Sequence, residues 1–318
     1  MKLTSDVGVN FIPPGITHHD SIYLIGSCFT EHIANKLLEA GFSVKNNVHG
    51  IIYNPVSIRQ SLSEVLENKE YTKEDLFLHQ GLWHSFNHHG SFSGTDPEVV
   101  CQRINETIKE HREFLLKTKQ IFITPGTSWL YRKKSSAQVV ANCHKVPGYE
   151  FEKVLMDAEE EAKHWLELIQ KLYLYSPQLT IHFTISPVKH LRDGFFENNL
   201  SKGLLHQLIY KIMLQNRSIR YFPSFEIMQD ELRDYRFYDR DLTHPNALAI
   251  DIIWEKFKLA YFAKPTQEII GEVMEIRKLN EHKILHATEE SKKFESYRIK
   301  RMQDLQKKYP FIKIVSKQ

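Results

Sequence analysis

The sequence is poor in cysteine and lacks any apolar run long enough to cross a membrane. Its three cysteines among 318 residues, Cys28, Cys101 and Cys143, are odd in number and widely spaced. Such a set forms no disulfide framework, so we expect free thiols in a reducing compartment. The longest apolar stretches have strand length, which excludes a membrane-spanning helix. The first fifteen residues lack a basic start followed by an apolar segment, so we expect no signal peptide and a soluble, cytoplasmic protein.

Charge of one sign is also scarce over the whole chain. The formal net charge is only +3, which is too small to indicate a nucleic-acid partner. Residues 264–318 nevertheless hold 13 Lys and Arg against 8 Asp and Glu. With few turn residues before Pro310, this segment is predicted to form long amphipathic helices on the surface of the protein. A charged helical face is the default interpretation, and contact with a second copy of the chain, giving a homo-oligomer, is the alternative.

Five short apolar runs are typical of buried strands, and most are separated by segments with helical periodicity. The runs span residues 21–25, 43–45, 120–124, 179–186 and 219–222. The clearest helical segments span residues 157–174, 198–214 and 246–261. This alternation predicts an α/β fold, a three-layer sandwich with a mainly parallel five-stranded sheet. We expect one domain over residues 1–262 and a basic helical extension over residues 263–318.

Residues 71–94 interrupt the alternation with aromatic residues, histidines and glycines, and they predict a hairpin or a long loop. Trp83 and Phe86 of this segment form either an apolar wall for a sugar or the core of the hairpin. Several histidines invite a metal-site interpretation, but their spacing matches no tight ligand motif. A polar loop over the cleft is the favoured interpretation, and we expect no metal and no cofactor. The histidines concerned are His49, His79, His84, His88 and His89.

The segment IYLIGSCFTEHIANKLLEAGF, residues 22–42, runs from a predicted strand directly into a predicted helix. Gly26 permits a sharp turn there. Ser27 is then expected at the rim of the crevice, where open parallel sheets bind ligands. The free N–H groups and positive dipole of a helix N-terminus favour a developing oxyanion. Taken alone, a small residue at such a turn is more often structural.

A second segment, RDLTHPNALAIDIIWEKF at residues 240–257, places Asp241 and His244 three residues apart before a helix. A serine hydroxyl becomes a nucleophile when an imidazole takes its proton, and a carboxylate fixes the tautomer of that imidazole. One D-x-x-H turn can supply both groups. The alternative is that Asp241 caps the helix and His244 is a surface residue.

Together the two segments resemble the SGNH/GDSL-type hydrolases, and Gly26-Ser27-Cys28-Phe29 looks like the motif of the related GSCFA family. The resemblance covers about residues 1–262. It extends to NNVHGIIYNP (46–55), TPGTSWLYR (124–132), NCHKVP (142–147), SPVKHLRDGF (186–195) and DELRDYRFY (230–238). It implies an SGNH hydrolase-like, flavodoxin-like fold. It also implies that Ser27 is the nucleophile, His244 the general base and Asp241 its orienting carboxylate.

The resemblance further implies an oxyanion hole made of the Ser27 N–H, a glycine after the second strand and an asparagine after the third. Gly50 matches the glycine. The asparagine is missing, because the sequence there reads Gly126-Thr127-Ser128. Ser128, Thr127 or Asn54 could donate in its place.

Three further groups of residues near these motifs have both a functional and a structural interpretation. Cys28 adjoins Ser27 and is a competing nucleophile, although a free cysteine is often simply buried. Asn142 and His144, in the run Asn142–Cys143–His144–Lys145, are candidates for substrate contact rather than an ordinary loop. The third group follows the fourth predicted strand, where an arginine could hold an acidic substrate group or form an internal ion pair. It comprises His190, Arg192 and Asp193.

These observations predict a serine-dependent hydrolase or transferase of acyl esters, with an acetyl ester on a carbohydrate as the expected substrate. Activity should rise with pH as the histidine base loses its proton. Two other functions stay open. One is a protein that binds a carbohydrate or acyl ligand without turning it over, and the other is a metal-dependent hydrolase using the histidine-rich segment.

Overall fold

The computed structural model describes residues 5–281 and 288–312. Residues 1–4 of the predicted domain, and residues 282–287 and 313–318 of the predicted extension, lie outside the described part. The strands are β1 (Ser21–Gly26), β2 (Ser43–Asn46), β3 (Phe77–His79), β4 (Leu82–His84), β5 (Gln120–Thr124), β6 (Trp129–Lys133), β7 (Val139–Val140), β8 (Phe151–Leu155), β9 (Thr180–Phe183) and β10 (Arg220–Tyr221). The helices are α1 (Cys28–Glu39), α2 (Pro55–Glu67), α3 (Pro97–Leu115), α4 (Ala158–Tyr175), α5 (Phe195–Gln215), α6 (Ser224–Glu226), α7 (Ala247–Tyr261), α8 (Lys264–Glu281) and α9 (Glu289–Lys308).

The central sheet has the order β10-β9-β5-β1-β2, and every neighbouring pair is parallel. Each of its five strands coincides with one of the five predicted runs, β1 and β2 extending one residue further, and the predicted α/β fold class is confirmed. Counted among these five strands alone, the order is 2-1-3-4-5, which is the flavodoxin-like arrangement. The strand order reverses between β1 and β5, and ligands bind outside the carboxyl ends of strands at such a point.

Helices cover both faces of this sheet because its strands are apolar on both sides. Ile22 and Leu24 of β1 belong to a buried cluster with α1 and α7. Tyr23 and Ile25, which alternate with them, belong to the larger cluster that includes residues of α2, α3, α4 and α5. The period of two along a strand sends successive side chains to opposite faces, and this produces the three layers.

Two smaller sheets lie outside the parallel sheet. β3 and β4 form an antiparallel hairpin, one of the two predicted alternatives for residues 71–94. β7, β6 and β8 form a three-stranded antiparallel sheet that the sequence patterns do not predict. Trp83 packs against the larger core cluster, and Phe86 stacks on Phe77 with 3.9 Å between ring centroids. Both aromatic side chains therefore serve the packing of the hairpin.

The segment after α7 is helical and docks on the rest of the chain. Ile270 of α8 is buried in the cluster that contains α1 and α7. Val273 and Ile276 of α8 form a small separate cluster with Leu305 of α9 and Ile312. No helix in the described part of the chain is both long and apolar enough to span a membrane.

Candidate active site

A cleft of about 900 Å³ opens beside the carboxyl ends of β1 and β5. Ser27 follows β1 and Gly126 follows β5 two residues after its end, so both stand where the strand order reverses. The walls of the cleft come from the loops after β2, β4, β5, β7 and β9, from strands β6, β7 and β8, and from the turn before α7. Of the predicted site residues, the cleft is lined by Asn54, Thr127, Asn142 and His144.

Ser27 is the N-cap residue of α1 and is completely buried. Its N–H donates to the Thr124 carbonyl at 3.0 Å, continuing the β1–β5 ladder. Its Oγ has no hydrogen-bond partner. A buried hydroxyl left unpaired is costly. Such groups are rare in proteins and can reflect a functional role or a bound water.

His190 and Ser27 both lie next to the position that a side chain on Gly126 would occupy. A methyl group built on Gly126 would lie 2.9 Å from His190 Nε2 and 3.4 Å from both Ser27 Cβ and Tyr53 Cδ1. His190 Nε2 is also buried without a partner. Burial, followed by the charges of Lys202 and His244, lowers the pKa of His190 to about 3. The bare glycine thus leaves a small gap between an unpaired hydroxyl and a neutral, unpaired imidazole nitrogen.

Asp241 and His244 form the predicted pair within a tight turn. His244 Nδ1 lies 2.5 Å from Asp241 Oδ2, while Asp241 Oδ1 accepts the N–H groups of Thr243 and His244 at 2.9 and 3.0 Å. These backbone bonds, followed by the imidazole, hold the pKa of Asp241 far below its usual range. The carboxylate therefore stays ionised and binds His244 through Nδ1, which leaves Nε2 as the ring nitrogen available to exchange a proton.

The turn that carries His244 is attached to the cleft. The Lys189 N–H donates to the Thr243 carbonyl at 3.1 Å, and Thr243 lines the cleft wall. After burial, the charge of His244 is among the causes that lower the pKa of His190 and of His32, one turn into α1 from the Ser27 end. Ser27 Oγ makes no hydrogen bond to His190 or His244 in this structure.

The N–H groups expected to form the oxyanion hole are already bonded within the fold. The Ser27 N–H is taken by Thr124, and the Gly50 N–H donates to the Asn47 carbonyl at 2.7 Å. The Gly126 N–H donates to the Tyr53 carbonyl at 2.7 Å. None of these three donors is therefore free to receive an oxyanion in this conformation.

The side chains considered as substitutes for the missing asparagine differ in accessibility. Ser128 is completely buried and its Oγ has no partner. Thr127 lines the cleft, with its Oγ1 3.0 Å from Ser201 Oγ. Asn54 lines the cleft and caps α2, because its Oδ1 accepts the Ser57 N–H at 2.8 Å. That bond fixes the Asn54 amide and leaves its NH₂ group as the available donor.

Asn142 and His144 belong to a strained loop in the cleft wall. His144 and Lys145 both have positive φ, 49° and 61°. The loop is held by the His144 N–H, which donates to Asn142 Oδ1 at 2.9 Å, and by His144 Nε2, 2.8 Å from the Ser85 carbonyl. Non-glycine residues in this region are uncommon and cluster at functional sites.

Lys202 is a buried charge-bearing residue that the sequence analysis does not single out. Its Nζ donates to the carbonyls of Gly126 and Ser186, both at 2.7 Å. Burial lowers its pKa to about 7. Lys202 thereby ties the loops after β5 and β9 together behind Ser27. The sequence offers one indication of this burial, because Lys202 falls on the apolar face of the predicted helix at residues 198–214.

Cys28 and the histidine-rich segment complete the set of predicted candidates. All three cysteines are free, and Cys28 is partly exposed at the first residue of α1. Burial raises the pKa of its thiol, although the N–H groups of Phe29 and Cys28 oppose this.

In the histidine-rich segment, His84 and His88 bond to side chains of their own loop, Ser93 and Ser85. Within the described residues, no three His, Cys, Asp or Glu side chains are grouped so that they could hold a metal ion.

Residues 21–257 of the chain match the family model of the GSCFA family. No functionally curated protein matches the chain.

Solved structures with a similar arrangement include a Streptococcus pneumonia protein proposed to be a platelet activating factor (13% identity, 76% of this chain and 86% of that one, TM-score 0.40). A Bacteroides fragilis protein proposed to be an acylhydrolase has 8% identity over 81% of this chain and 91% of that one, with a TM-score of 0.39. A Corynascus thermopiles carbohydrate esterase family 2 enzyme with a carbohydrate binding domain has 10% identity over 82% of this chain and 69% of that one, with a TM-score of 0.40.

Proposed function

This chain belongs to the GSCFA family, and we propose from the geometry of its site that it is an acyl-ester hydrolase or acyltransferase working through a covalent acyl-enzyme. The observations that support the proposal are the hydrogen-bonded Asp241–His244 pair, in a turn bonded to the cleft wall, and the buried, unpaired hydroxyl of Ser27 at the carboxyl end of β1. An acylated carbohydrate, with acetate as the acyl group, is the proposed substrate.

In the proposed reaction Ser27 Oγ attacks the acyl carbon, and its proton passes to His244 Nε2. Asp241 holds the imidazole and stabilises its charged form. The tetrahedral intermediate collapses, and the proton on His244 goes to the leaving sugar oxygen. Water then hydrolyses the acyl-enzyme, or a second hydroxyl accepts the acyl group. His244 removes the proton of the incoming water or hydroxyl, and it returns this proton to Ser27 Oγ as the ester bond to Ser27 breaks.

The oxyanion is assigned to side-chain donors, because the expected N–H groups are occupied. His190 Nε2 and Ser27 Cβ both border the space beside Gly126, and this nitrogen is unpaired and belongs to an imidazole that stays neutral at neutral pH. A neutral imidazole can donate a hydrogen bond to a developing oxyanion. The Asn54 amide, fixed by the cap of α2, supplies the second donor.

Ser27 and Cys28 compete for the role of nucleophile. Ser27 adjoins the gap at Gly126 but is fully enclosed, so Tyr53 and His190 must shift before an ester reaches it. Cys28 is more accessible, but its raised pKa makes a thiolate less available. Catalytic hydrogen bonds are often long or misaligned in unliganded proteins, so enclosure does not exclude Ser27.

A fluorophosphonate probe followed by peptide mass spectrometry tests the assignment. We expect an adduct on Ser27 in the wild type and none in Ser27→Ala or His244→Ala, with Cys28→Ala labelled as the wild type is. An adduct on Cys28 instead would replace Ser27 as nucleophile while keeping acyl chemistry. Absence of any adduct, together with no turnover of acetylated sugars, would refute the proposal that the protein is an enzyme.

A binding protein without turnover is the second candidate, and the occupied N–H groups of Ser27 and Gly50 favour it. It predicts that ligand raises the melting temperature equally in wild type and Ser27→Ala, and that no acid is released.

The proposed enzyme is also expected to be cytoplasmic and to need no cofactor.

A further inference from the structure

The walls of the cleft carry an excess of positive charge. Four basic side chains line it, Lys145, Lys153, Lys189 and Arg192, against one carboxylate, Asp193. That carboxylate forms a salt bridge with Lys153. The remaining three cations face the cleft with no salt bridge to any residue in the described part of the chain. The whole protein has a net charge of only +3, so this concentration is local.

The three cations are presented by loops with defined conformations. Lys145 follows His144 in the strained loop, whose shape is set by the bonds of His144 to Asn142 and Ser85. Lys189 places its ammonium 4.4 Å from the ring centroid of Tyr238. Because the bonds of the Lys145 loop and the contact of Lys189 with Tyr238 exist before a ligand arrives, less ordering of these two segments is needed on binding.

Aromatic side chains provide the apolar part of the same cleft. Tyr53, Trp129 and Tyr131 line it, and the Lys153 ammonium lies 4.4 Å from the Trp129 ring centroid. Flat apolar faces beside cations suit a ligand that carries both a ring and a negative charge.

We propose that the acyl-bearing substrate is an anionic carbohydrate, and that Lys145, Lys189 and Arg192 bind its negative group. The inference rests on the proposed function in taking this cleft as the substrate site. A carboxylate of a uronic acid and a phosphate present the same chemistry to these cations, and Arg192 can bind either in a bidentate manner. The charge also concentrates such a substrate at the cleft, where low-dielectric walls focus the field.

Isothermal titration calorimetry on the full chain tests the proposal without requiring turnover. The probes are trigalacturonate, which carries carboxylates, and galactotriose of the same linkage, which is neutral. We expect trigalacturonate to bind at least about tenfold more tightly at low ionic strength, and the difference to shrink as salt is raised. Inorganic phosphate as a competitor distinguishes the anion: displacement stronger than by acetate assigns a phosphate site, and the reverse assigns a carboxylate site.

A pair of matched triple variants locates the effect. Lys145→Gln/Lys189→Gln/Arg192→Gln removes three charges from the cleft, whereas Lys293→Gln/Lys300→Gln/Lys307→Gln removes three from α9. The first should abolish the preference for trigalacturonate, and the second should retain it. Arg192→Gln alone, with an expected severalfold loss, serves if the triple variant does not fold.

Equal affinity for the two trisaccharides, or equal losses in the two triple variants, would overturn the inference. Binding of trigalacturonate by a protein that forms no acyl adduct would refute the proposed enzyme and leave the anion site standing. Turnover of neutral acetylated sugars with no preference for anionic ones would support the proposed enzyme and refute the anion site.

Discussion

At the scale of single residues, the space between Ser27 and His190 depends on the absence of a side chain at residue 126. Gly126→Ala would place a methyl group 2.9 Å from His190 Nε2, in the gap assigned to the reacting group. The φ of Gly126 is not positive, so the backbone accepts alanine. We expect turnover to fall at least tenfold with melting temperature nearly unchanged.

The matched control for this change is Gly203→Ala. Gly203 lies inside α5 with nothing near its added methyl group. Alanine there should stabilise the protein by about 0.5–1 kcal/mol and leave turnover intact. Full activity of Gly126→Ala would show that the space beside Gly126 does not hold the reacting group.

His190 offers a second residue-scale prediction, because its donor can be replaced. His190→Ala should lower kcat by about 100-fold or more with KM little changed, which is typical of losing an oxyanion donor. His190→Gln, which retains an N–H donor, should recover part of kcat. Since burial keeps the pKa of His190 at about 3, the glutamine variant should keep the wild-type pH profile between pH 5 and 8. His164→Ala, on the surface of α4, is the control, and an equal loss in alanine and glutamine variants would contradict the role.

Lys202 makes stability depend on pH in a stated direction. Its pKa is lowered by burial to about 7, whereas a lysine in the unfolded chain titrates at about 10.4. Between these values the unfolded chain binds more protons, so the contribution of Lys202 to the free energy of unfolding rises with pH. Urea unfolding measures the free energy of unfolding of wild type and Lys202→Met. From pH 6.5 to 9.5 the wild-type value should therefore rise relative to that of the variant. Lys171→Met, at an exposed position, is the control, and its difference in free energy of unfolding from the wild type should not depend on pH. A pH-independent difference for Lys202→Met would contradict the prediction.

At the scale of elements, the periodic patterns predict the central sheet well and the surface sheets poorly. All five strands of the parallel sheet appear as apolar runs in the sequence. The three central strands, β1, β5 and β9, are buried along most of their length, as strands covered on both faces are, whereas the edge strands β2 and β10 are only partly buried. β6 reads WLYRK and β7 is two residues long, so neither has a clear period. Their existence depends on the pairing of Trp129 with Leu155 and of Tyr131 with Val140, contacts that no local window contains.

The packing of α9 on α8 gives an element-scale prediction. Leu305 is buried in a cluster with Val273, Ile276 and Ile312 that contains no other fully buried residue among those described. Leu305→Ala should cost about 2–5 kcal/mol at this contact, as other buried Leu-to-Ala changes do. Leu248→Ala, at an exposed position of α7, should cost little. Circular dichroism during urea unfolding measures both, and equal costs would show that α9 is not held by this cluster.

At the scale of the whole molecule, the candidate site depends on which loops the sheet brings together. The Ser27 turn and the Asp241–His244 turn are visible in the sequence as motifs, but of these two turns only Thr243 lines the cleft. The position of His190 beside Ser27 is not visible, because it requires β5 to lie between β1 and β9 and residue 126 to be bare. The occupied N–H groups of Ser27 and Gly50 are likewise set by tertiary hydrogen bonds rather than by motif spacing.

The distribution of buried residues predicts that the molecule does not open as one unit. β1 and β5 lie between two large apolar clusters, whereas the α8–α9 contact has four buried residues. Regions with few buried contacts open at lower free energy than the core. Hydrogen exchange of the full chain should therefore show α9 amides exchanging well before those of β1 and β5. Because Ser27, Gly126 and His190 depend on the sheet and not on α9, a denaturant concentration that frees α9 alone should leave probe labelling of Ser27 intact. Simultaneous loss of α9 protection and of labelling would make the C-terminal helices part of the catalytic unit, contrary to the proposed domain over residues 1–262.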